Sequence, residues 1–241
     1  MNVVVLTRNP RGIASRFLAR GNVEVGTVLL DESPGPGLRA RLRKLRRVGP
    51  TAAPVGLALR RLYAQAQSGA PHLDDVAANV VRVPTLKGPE ARALLSAADV
   101  AVSLDSTLLS EQTFSAPARG TINVHHGAVP DYRGGPPLFW ELADERDVVG
   151  FTVHRIDAGI DTGPILATGD VPIAKRATLA ETLAATLPAL HDASLVALER
   201  VLVSGELEGT PQQGGGRART TPTLRDYLRV RRLLRNYDQR S

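Results

Sequence analysis

Short runs of β-branched residues alternate with segments of helical periodicity along most of the chain. In the first half the pattern predicts strands at 3–7, 23–30, 80–83, 100–104 and 121–124. Between them, residues 10–20 and 89–97 have helical periodicity and proline in the predicted first turn, which is typical of helices. Because strands that alternate with helices form βαβ units, we expect an α/β fold with a mainly parallel central sheet flanked by helices.

The remaining segments complete this picture. Strands are expected at 150–156 and 165–173, and Thr178 with Glu181 forms a capping-box pattern before a long amphipathic helix. Residues 31–37 are typical of a turn or linker, and leucines at helical spacing from Leu38 predict a basic amphipathic helix that follows it. A further helix is expected at 55–67. The glycine run 214–216 is expected to end the compact region, with a basic, helical segment at 221–235.

Composition limits the classes of protein that need to be considered. A chain of 241 residues with 43% hydrophobic content is long enough for one well-buried domain plus an appendage. The chain has no cysteine, which excludes disulfides and thiolate chemistry. It has no basic leader at its start and no apolar run that approaches a membrane span, so we expect a cytoplasmic protein.

The net charge of +6 raises the question of an anionic partner. The excess is local, because residues 38–47 hold six Lys or Arg and residues 217–240 hold eight Arg against two Asp. We therefore assign it to an excursion and a tail. Long charged runs are usually solvated faces, but a module that binds nucleic acid or an anionic membrane remains an alternative function.

The most specific signal lies between residues 121 and 165. Asn123 and His125 stand two residues apart in a predicted strand, so both side chains should point to the same face. Asp161 follows in a loop marked by Gly159 and Gly163. The sequence thus directs an amide, an imidazole and a carboxylate toward one site.

This segment resembles the catalytic core of formyltransferases that use 10-formyltetrahydrofolate. In that family an Asn-x-His pair, a Pro-x-x-Arg-Gly loop and an Asp-x-Gly-x-Asp-x-Gly loop occur in the same order, here at 123–125, 130–134 and 157–163. The resemblance implies a Rossmann-like fold, N10-formyltetrahydrofolate as co-substrate and no metal. It also implies catalytic roles for Asn123, His125 and Asp161.

Formyl transfer explains why such residues are needed. An amine attacks a carbonyl carbon, and the oxygen becomes negative in the tetrahedral species. Asn123 and His125 can donate to that oxygen, while Asp161 can orient the imidazole and take the proton that the amine loses. Because Asp161 is expected in a partly closed loop, we expect its pKa to be raised, which would suit it to take that proton.

By resemblance, the pterin ring should lie beside two segments. The expected cofactor-binding residues are Thr107, Leu108, Leu109, Phe114, Asp157, Gly159 and Ile160. For Leu108, Leu109 and Phe114 a plain core role is the alternative.

Two departures from the family pattern concern the acceptor. Residues 127–130 read Gly-Ala-Val-Pro where many relatives have Ser-Leu-Leu-Pro, so a hydroxyl is missing. The Gly-Ser-Gly phosphate loop of purine-pathway members is also absent, which argues against a glycinamide ribonucleotide acceptor. Instead Asn9, Arg11 and Gly12 could hold the phosphates of a nucleotide-linked substrate, although Asn9 could equally cap the first helix. Arg133 is a further substrate-binding candidate that could instead brace its loop.

Rival chemistries fit less well. The sequence lacks the HExxH motif, or a comparable ligand spacing, of a metal-dependent hydrolase. The segment after the first strand also lacks the Gly-x-Gly-x-x-Gly of a nicotinamide enzyme.

We divide the chain into a catalytic domain at 1–205 and a basic C-terminal extension at 206–241. The extension is too short for the RNA-binding domain of initiator-tRNA formyltransferases. The expected function is therefore N-formylation of a nucleotide-linked amino deoxysugar, as in polysaccharide biosynthesis. A hydroxyornithine-like amine is the alternative acceptor. A homodimer is compatible with a domain of this size.

Overall fold

The computed structural model describes residues 1–35, 37, 52–215 and 218–238. Within these residues seven strands form one sheet in the order β3-β2-β1-β4-β5-β6-β7. Their bounds are Val3–Thr7 (β1), Val25–Asp31 (β2), Val80–Val83 (β3), Val100–Ser103 (β4), Thr121–His125 (β5), Val148–Arg155 (β6) and Ile165–Pro172 (β7).

The sheet is mainly parallel, as predicted. Strands β1 to β5 pair in parallel, β6 is antiparallel to β5, and β7 is antiparallel to β6. The strand order reverses between β1 and β4, which makes a crevice outside the carboxyl ends of these two strands.

Eight helices are described. They are Ile13–Arg20 (α1), Ala52–Ala66 (α2), Leu73–Val76 (α3), Pro89–Ser96 (α4), Glu111–Phe114 (α5), Phe139–Ala143 (α6), Leu179–Ser204 (α7) and Leu224–Asp238 (α8). The predicted capping box is present, because Glu181 N donates to Thr178 Oγ1 and Thr178 N donates to the Glu181 carboxylate. None of the helices in the described residues is both long enough and apolar enough to cross a bilayer.

Alternation along the strands supplies a core on each side of the sheet. On the first face, Val5 and Ile122 are fully buried and belong to the core that includes residues of α1 and the second half of α7. On the second face, Leu6 and Ala101 lie in a core with α4. Helices α2, α6 and α8 join the first half of α7 and strands β6 and β7 in a third cluster.

Two local predictions are wrong. Helix α1 begins at Ile13 rather than Pro10, because Asn9 Oδ1 accepts the Arg11 amide at 3.0 Å and keeps this stretch in a turn. The compact region does not end at the glycine run, since Val230 and Leu234 of α8 are buried in the core. The basic helix predicted from Leu38 lies outside the described residues.

Candidate active site

Asn123 and His125 lie on the second face of β5, as their spacing predicts. The residues that alternate with them, Ile122 and Val124, are buried in the core on the first face. Asn123 pairs in register with Ser103 of β4. Both polar side chains therefore lie on the second face, next to the region that α4 covers. At their position the sheet is covered by the loop at 127–135 rather than by a helix.

Strand β6 adds a residue that sequence reasoning missed. In the antiparallel pair, His154 lies directly opposite Asn123, so both side chains share the second face. The Nδ2 of Asn123 is 3.2 Å from Nε2 of His154, whose Nδ1 lies 2.7 Å from the carbonyl oxygen of Arg155. His154 is 2% exposed. Its signal was its place in the alternating pattern of 148–155, but the pairing register was needed to bring it to the site.

Asp161 completes the cluster from the loop between β6 and β7. Its Oδ2 lies 3.3 Å from Nδ1 of His125 and accepts the amide of Gly134 at 2.7 Å. Its Oδ1 lies 3.5 Å from Nε2 of His154. The structure thus brings together all three residues that the sequence proposed as catalytic, with His154 as a fourth member.

The electrostatics of Asp161 differ from the expectation of a raised pKa. Burial acts to raise the pKa of this carboxyl, but the neighbouring His154 and His125 rings and the Gly134 amide outweigh burial. Together they hold the pKa at about 2. Asp161 is therefore a carboxylate at neutral pH, stabilised by donors on several sides.

His125 is held between two acceptors. Its Nε2 lies 2.6 Å from the carbonyl oxygen of Tyr132, and its Nδ1 faces Asp161. Two acceptors favour a doubly protonated ring, yet burial is the larger effect and lowers the pKa of His125 below its ordinary value. The ring is therefore neutral at pH 7, with one nitrogen as donor.

The loop at 127–135 packs on the second face beside the cluster. Thr152 Oγ1 donates to the carbonyl of Gly127 at 2.9 Å and accepts the Val129 amide at 3.3 Å. A Cβ at Gly127 would overlap the Tyr132 carbonyl and lie 2.6 Å from Nε2 of His125. The loop therefore excludes a serine at this position, which explains the first departure from the family pattern.

The predicted folate residues divide between two segments, at 107–114 and 157–160. Leu108 is 74% exposed and Ile160 is 46% exposed, whereas Leu109 and Phe114 are partly buried. Such exposed apolar side chains are what a flat ring could cover. The hydroxyl of Thr107 is already hydrogen-bonded within the protein, since its Oγ1 donates to the Asp31 carboxylate at 3.0 Å.

Asp157 has a local structural role in the second of these loops. Its Oδ1 accepts the Gly159 amide at 3.0 Å and the Thr162 hydroxyl at 2.6 Å. These bonds fix the turn that leads to Asp161. A direct contact of the Asp157 carboxylate with ligand would have to use its other oxygen.

Asn9, Arg11 and Gly12 lie together between β1 and α1, at the mouth of the crevice. Asn9 Nδ2 donates to Gln67 at 3.3 Å, and Arg11 is exposed. A Cβ at Gly12 would lie 2.5 Å from Asn9 Nδ2 and 2.9 Å from Asp105 Oδ2, so a larger residue there would displace these two side chains. Asn9 does not cap α1, because Gly12 is the N-cap residue and Asn9 Oδ1 accepts the Arg11 amide in the turn before it.

Arg133 is buried rather than open to substrate. It is 7% exposed, and its Nε and Nη2 donate to Oε1 of Gln212 at 3.0 and 2.6 Å. This geometry favours the bracing interpretation. Gln212 was missed from the sequence because it lies in the segment treated as an extension.

Comparison with known proteins gives a family and several relatives. A family profile described as "Formyl transferase" matches residues 74–198. The methionyl-tRNA formyltransferase of Sorangium cellulosum is 35% identical over 138 residues, which are 55% of this chain and 43% of that protein. The one from Koribacter versatilis is 37% identical over 105 residues, or 44% and 33%. The chain thus spans less than half the length of these curated relatives.

Solved structures share the fold over most of the chain. A sugar N-formyltransferase from Shewanella sp FDAARGOS_354 superposes with a TM-score of 0.58 at 16% identity, covering 97% of this chain and 87% of that one. Glycinamide ribonucleotide transformylase 1 from Symbiobacterium toebii gives 0.53 at 19% identity, covering 85% and 88%.

Proposed function

Because the chain belongs to the formyl transferase family, we propose that it moves a formyl group from N10-formyltetrahydrofolate to the primary amine of a nucleotide-linked amino deoxysugar. The family match and the shared fold confirm the resemblance and the fold expected from the motif at 121–163. The observation that carries the proposed reaction is the cluster of Asn123, His125, His154 and Asp161 on one face of the sheet.

The cluster has the groups that formyl transfer needs. The Asn123 amide has two hydrogens and its bond to His154 uses one, so the other can bind a developing oxyanion. A neutral His125 can donate or accept one proton near pH 7. The Asp161 carboxylate stabilises positive charge on His125 as the attacking amine loses its proton.

N10-formyltetrahydrofolate supplies the formyl carbon, and the chain offers a plausible surface for its ring. Leu108 and Ile160 are exposed apolar side chains in the two segments that the family resemblance implicates. Ile160 lies beside the loop at 127–135. Its Cγ2 is close enough to Gly134 that a Cβ on this glycine would be 3.4 Å away. Covering an exposed side chain of this size with the face of a flat ring removes apolar surface from water, which is favourable.

The acceptor assignment has two supports. Asn9, Arg11 and Gly12 lie at the crevice where α/β sheets bind nucleotides. In addition, the sugar N-formyltransferase from Shewanella sp FDAARGOS_354 shares the fold over 97% of this chain.

The test is direct. Purified protein is incubated with N10-formyltetrahydrofolate and a panel of nucleotide-linked 3-amino and 4-amino deoxysugars, and the products are analysed by mass spectrometry. We expect one of them to gain a single CO unit. If every sugar is unmodified while a hydroxyornithine-like amine is formylated, the sugar assignment is wrong and the reaction class stands.

Formylation of an aminoacyl-tRNA is the second candidate. The observation that favours it is the identity of 35% over 138 residues and 37% over 105 residues with two methionyl-tRNA formyltransferases. Salt separates the candidates. Binding of tRNA should weaken steeply between low and moderate salt, because each neutralised phosphate releases counterions. Undetectable binding of methionyl-tRNA at low salt would exclude this candidate and the nucleic-acid module together.

A further inference from the structure

Gln212 lies between the two loops that build the candidate site. Its Oε1 accepts two hydrogen bonds from the guanidinium of Arg133, in the loop at 127–135. Its Nε2 donates to the carbonyl oxygens of Asp161 at 2.9 Å and Gly163 at 2.8 Å, in the loop between β6 and β7. One side chain therefore joins the two loops.

The chemistry of these four bonds is specific for glutamine. Arginine can only donate and backbone carbonyls can only accept, so the oxygen of the amide must face Arg133 and the nitrogen must face the carbonyls. Both hydrogens of Nε2 and both lone pairs of Oε1 are used. Glutamate has no donors for the carbonyls, and asparagine is one methylene shorter.

The joined loops are the ones that hold Asp161 beside His125. Tyr132 accepts from His125, and Gly134 donates to the Asp161 carboxylate, so Arg133 lies between two residues that contact the cluster. Asp161 itself has a φ of 52°, a left-handed conformation that is uncommon for a residue with a side chain. A bond to its carbonyl oxygen helps to hold that conformation.

The bracing group is buried at its centre. Arg133 is 7% exposed, and the bonds to Gln212 satisfy two donors of a charge that is costly to bury without partners. The backbone adds a second link in the same place, since the Arg219 amide donates to the Arg133 carbonyl at 2.7 Å. The segment after α7 thus returns to the site and contacts Arg133 through both Gln212 and Arg219.

We propose that Gln212 is a positioning residue, which holds the carboxylate of Asp161 against His125 by joining the Arg133 loop to the Asp161 loop. Its consequence for turnover rests on the proposed function. Its consequence for the contact between His125 and Asp161 does not, so the two can be tested separately.

The main variant is Gln212→Met, which keeps the length and approximate shape of the side chain and removes all four hydrogen bonds. Gln213→Met is the matched control, because Gln213 is the next residue and is exposed. Gln212→Asn is the second variant, which keeps the amide but is too short to join both loops. It replaces Gln212→Met if calorimetry shows that the methionine variant is unfolded.

The first readout is an NMR titration of the His125 ring, which needs no substrate. The Asp161 carboxylate acts to raise the pKa of His125. Displacing it should lower that pKa further in Gln212→Met and Gln212→Asn, and leave it unchanged in Gln213→Met. A titration of His125 identical to wild type in both Gln212 variants, whatever their melting temperatures, would overturn the proposal.

The second readout is the split between kcat and KM with the acceptor that the wild-type protein formylates. We expect kcat to fall roughly 10- to 100-fold in Gln212→Met, because small misplacements of a catalytic group have effects of this size, with a smaller change in KM. A loss confined to KM would overturn the positioning role. If wild type formylates no amine but the His125 titration shifts as expected, the proposed function fails and the positioning role stands.

Discussion

At the scale of single residues, the site depends on how Asp161 is held. Its carboxylate accepts a hydrogen bond from the Gly134 amide and lies beside two imidazole rings. These neighbours explain why its pKa is about 2 despite burial. Such a group is charged throughout the physiological range. Its contribution is therefore the stabilisation of positive charge on His125 rather than the release of its own proton.

Replacing Asp161 by asparagine tests this role with little change of shape. An amide oxygen can still accept from Gly134, but the negative charge beside His125 is lost. We expect turnover to fall by about 100-fold or more. Steady-state kinetics with the identified acceptor measures this.

Asp170→Asn is the control for that substitution, since it removes an exposed carboxylate on β7. It should leave turnover unchanged. Turnover close to wild type in Asp161→Asn, with a normal melting temperature, would contradict the role of the charge.

How far the site could be predicted depends on the kind of contact. The shared face of Asn123 and His125 follows from the period of a strand, which is local information. His154 required the register of β5 against β6, and Gln212 required the chain to return from beyond α7. Neither the pairing register nor the return of the chain can be deduced from local periodicity, so both contacts were missed.

At the scale of elements, α8 shows why the extension cannot be treated as an appendage. Its inward residues Val230 and Leu234 are 0% and 2% exposed and lie in the core with α6 and α7. Its basic composition predicted a solvated helix, and the arginines are indeed exposed. The helical spacing of Tyr227, Val230 and Leu234 among many arginines was the signal of a buried face.

Two leucines on α8 provide a matched test. Leu234→Ala should lower the free energy of unfolding by about 3 kcal/mol, because it leaves a cavity in a closed core. Leu228 on the same helix is 49% exposed, and Leu228→Ala should change the free energy by less than about 0.5 kcal/mol. Urea unfolding followed by circular dichroism measures both, and equal effects would mean that α8 does not pack on the domain in solution.

At the scale of the whole molecule, histidines link the sheet to its longest helix. His126 follows β5, His191 lies on α7, and their rings are 4.9 Å apart. Nε2 of His126 is 3.2 Å from the Ser194 hydroxyl. Burial and the mutual repulsion of the two rings lower the pKa of His126 well below its ordinary value. Packing of the α7 face against β5 thus requires neutral imidazoles.

This requirement predicts acid sensitivity with a defined sign. Burial, with a smaller effect of Arg16, lowers the pKa of His191 from 6.5 to about 4. Between these values the unfolded chain binds more protons than the folded one, so the free energy of unfolding should fall as the pH falls through this window. The shift of His191 corresponds to roughly 3 kcal/mol once both states are protonated. The contribution of Asp161 is lost only as the pH falls from the ordinary pKa of an aspartate, near 4, to about 2, so it lies below this window.

Urea unfolding at a series of pH values should therefore show a smaller pH dependence for His191→Gln than for wild type. Equal slopes in the two proteins would mean that His191 is already protonated or solvated in the folded state, and that this side chain is more open to solvent than its 3% exposure indicates.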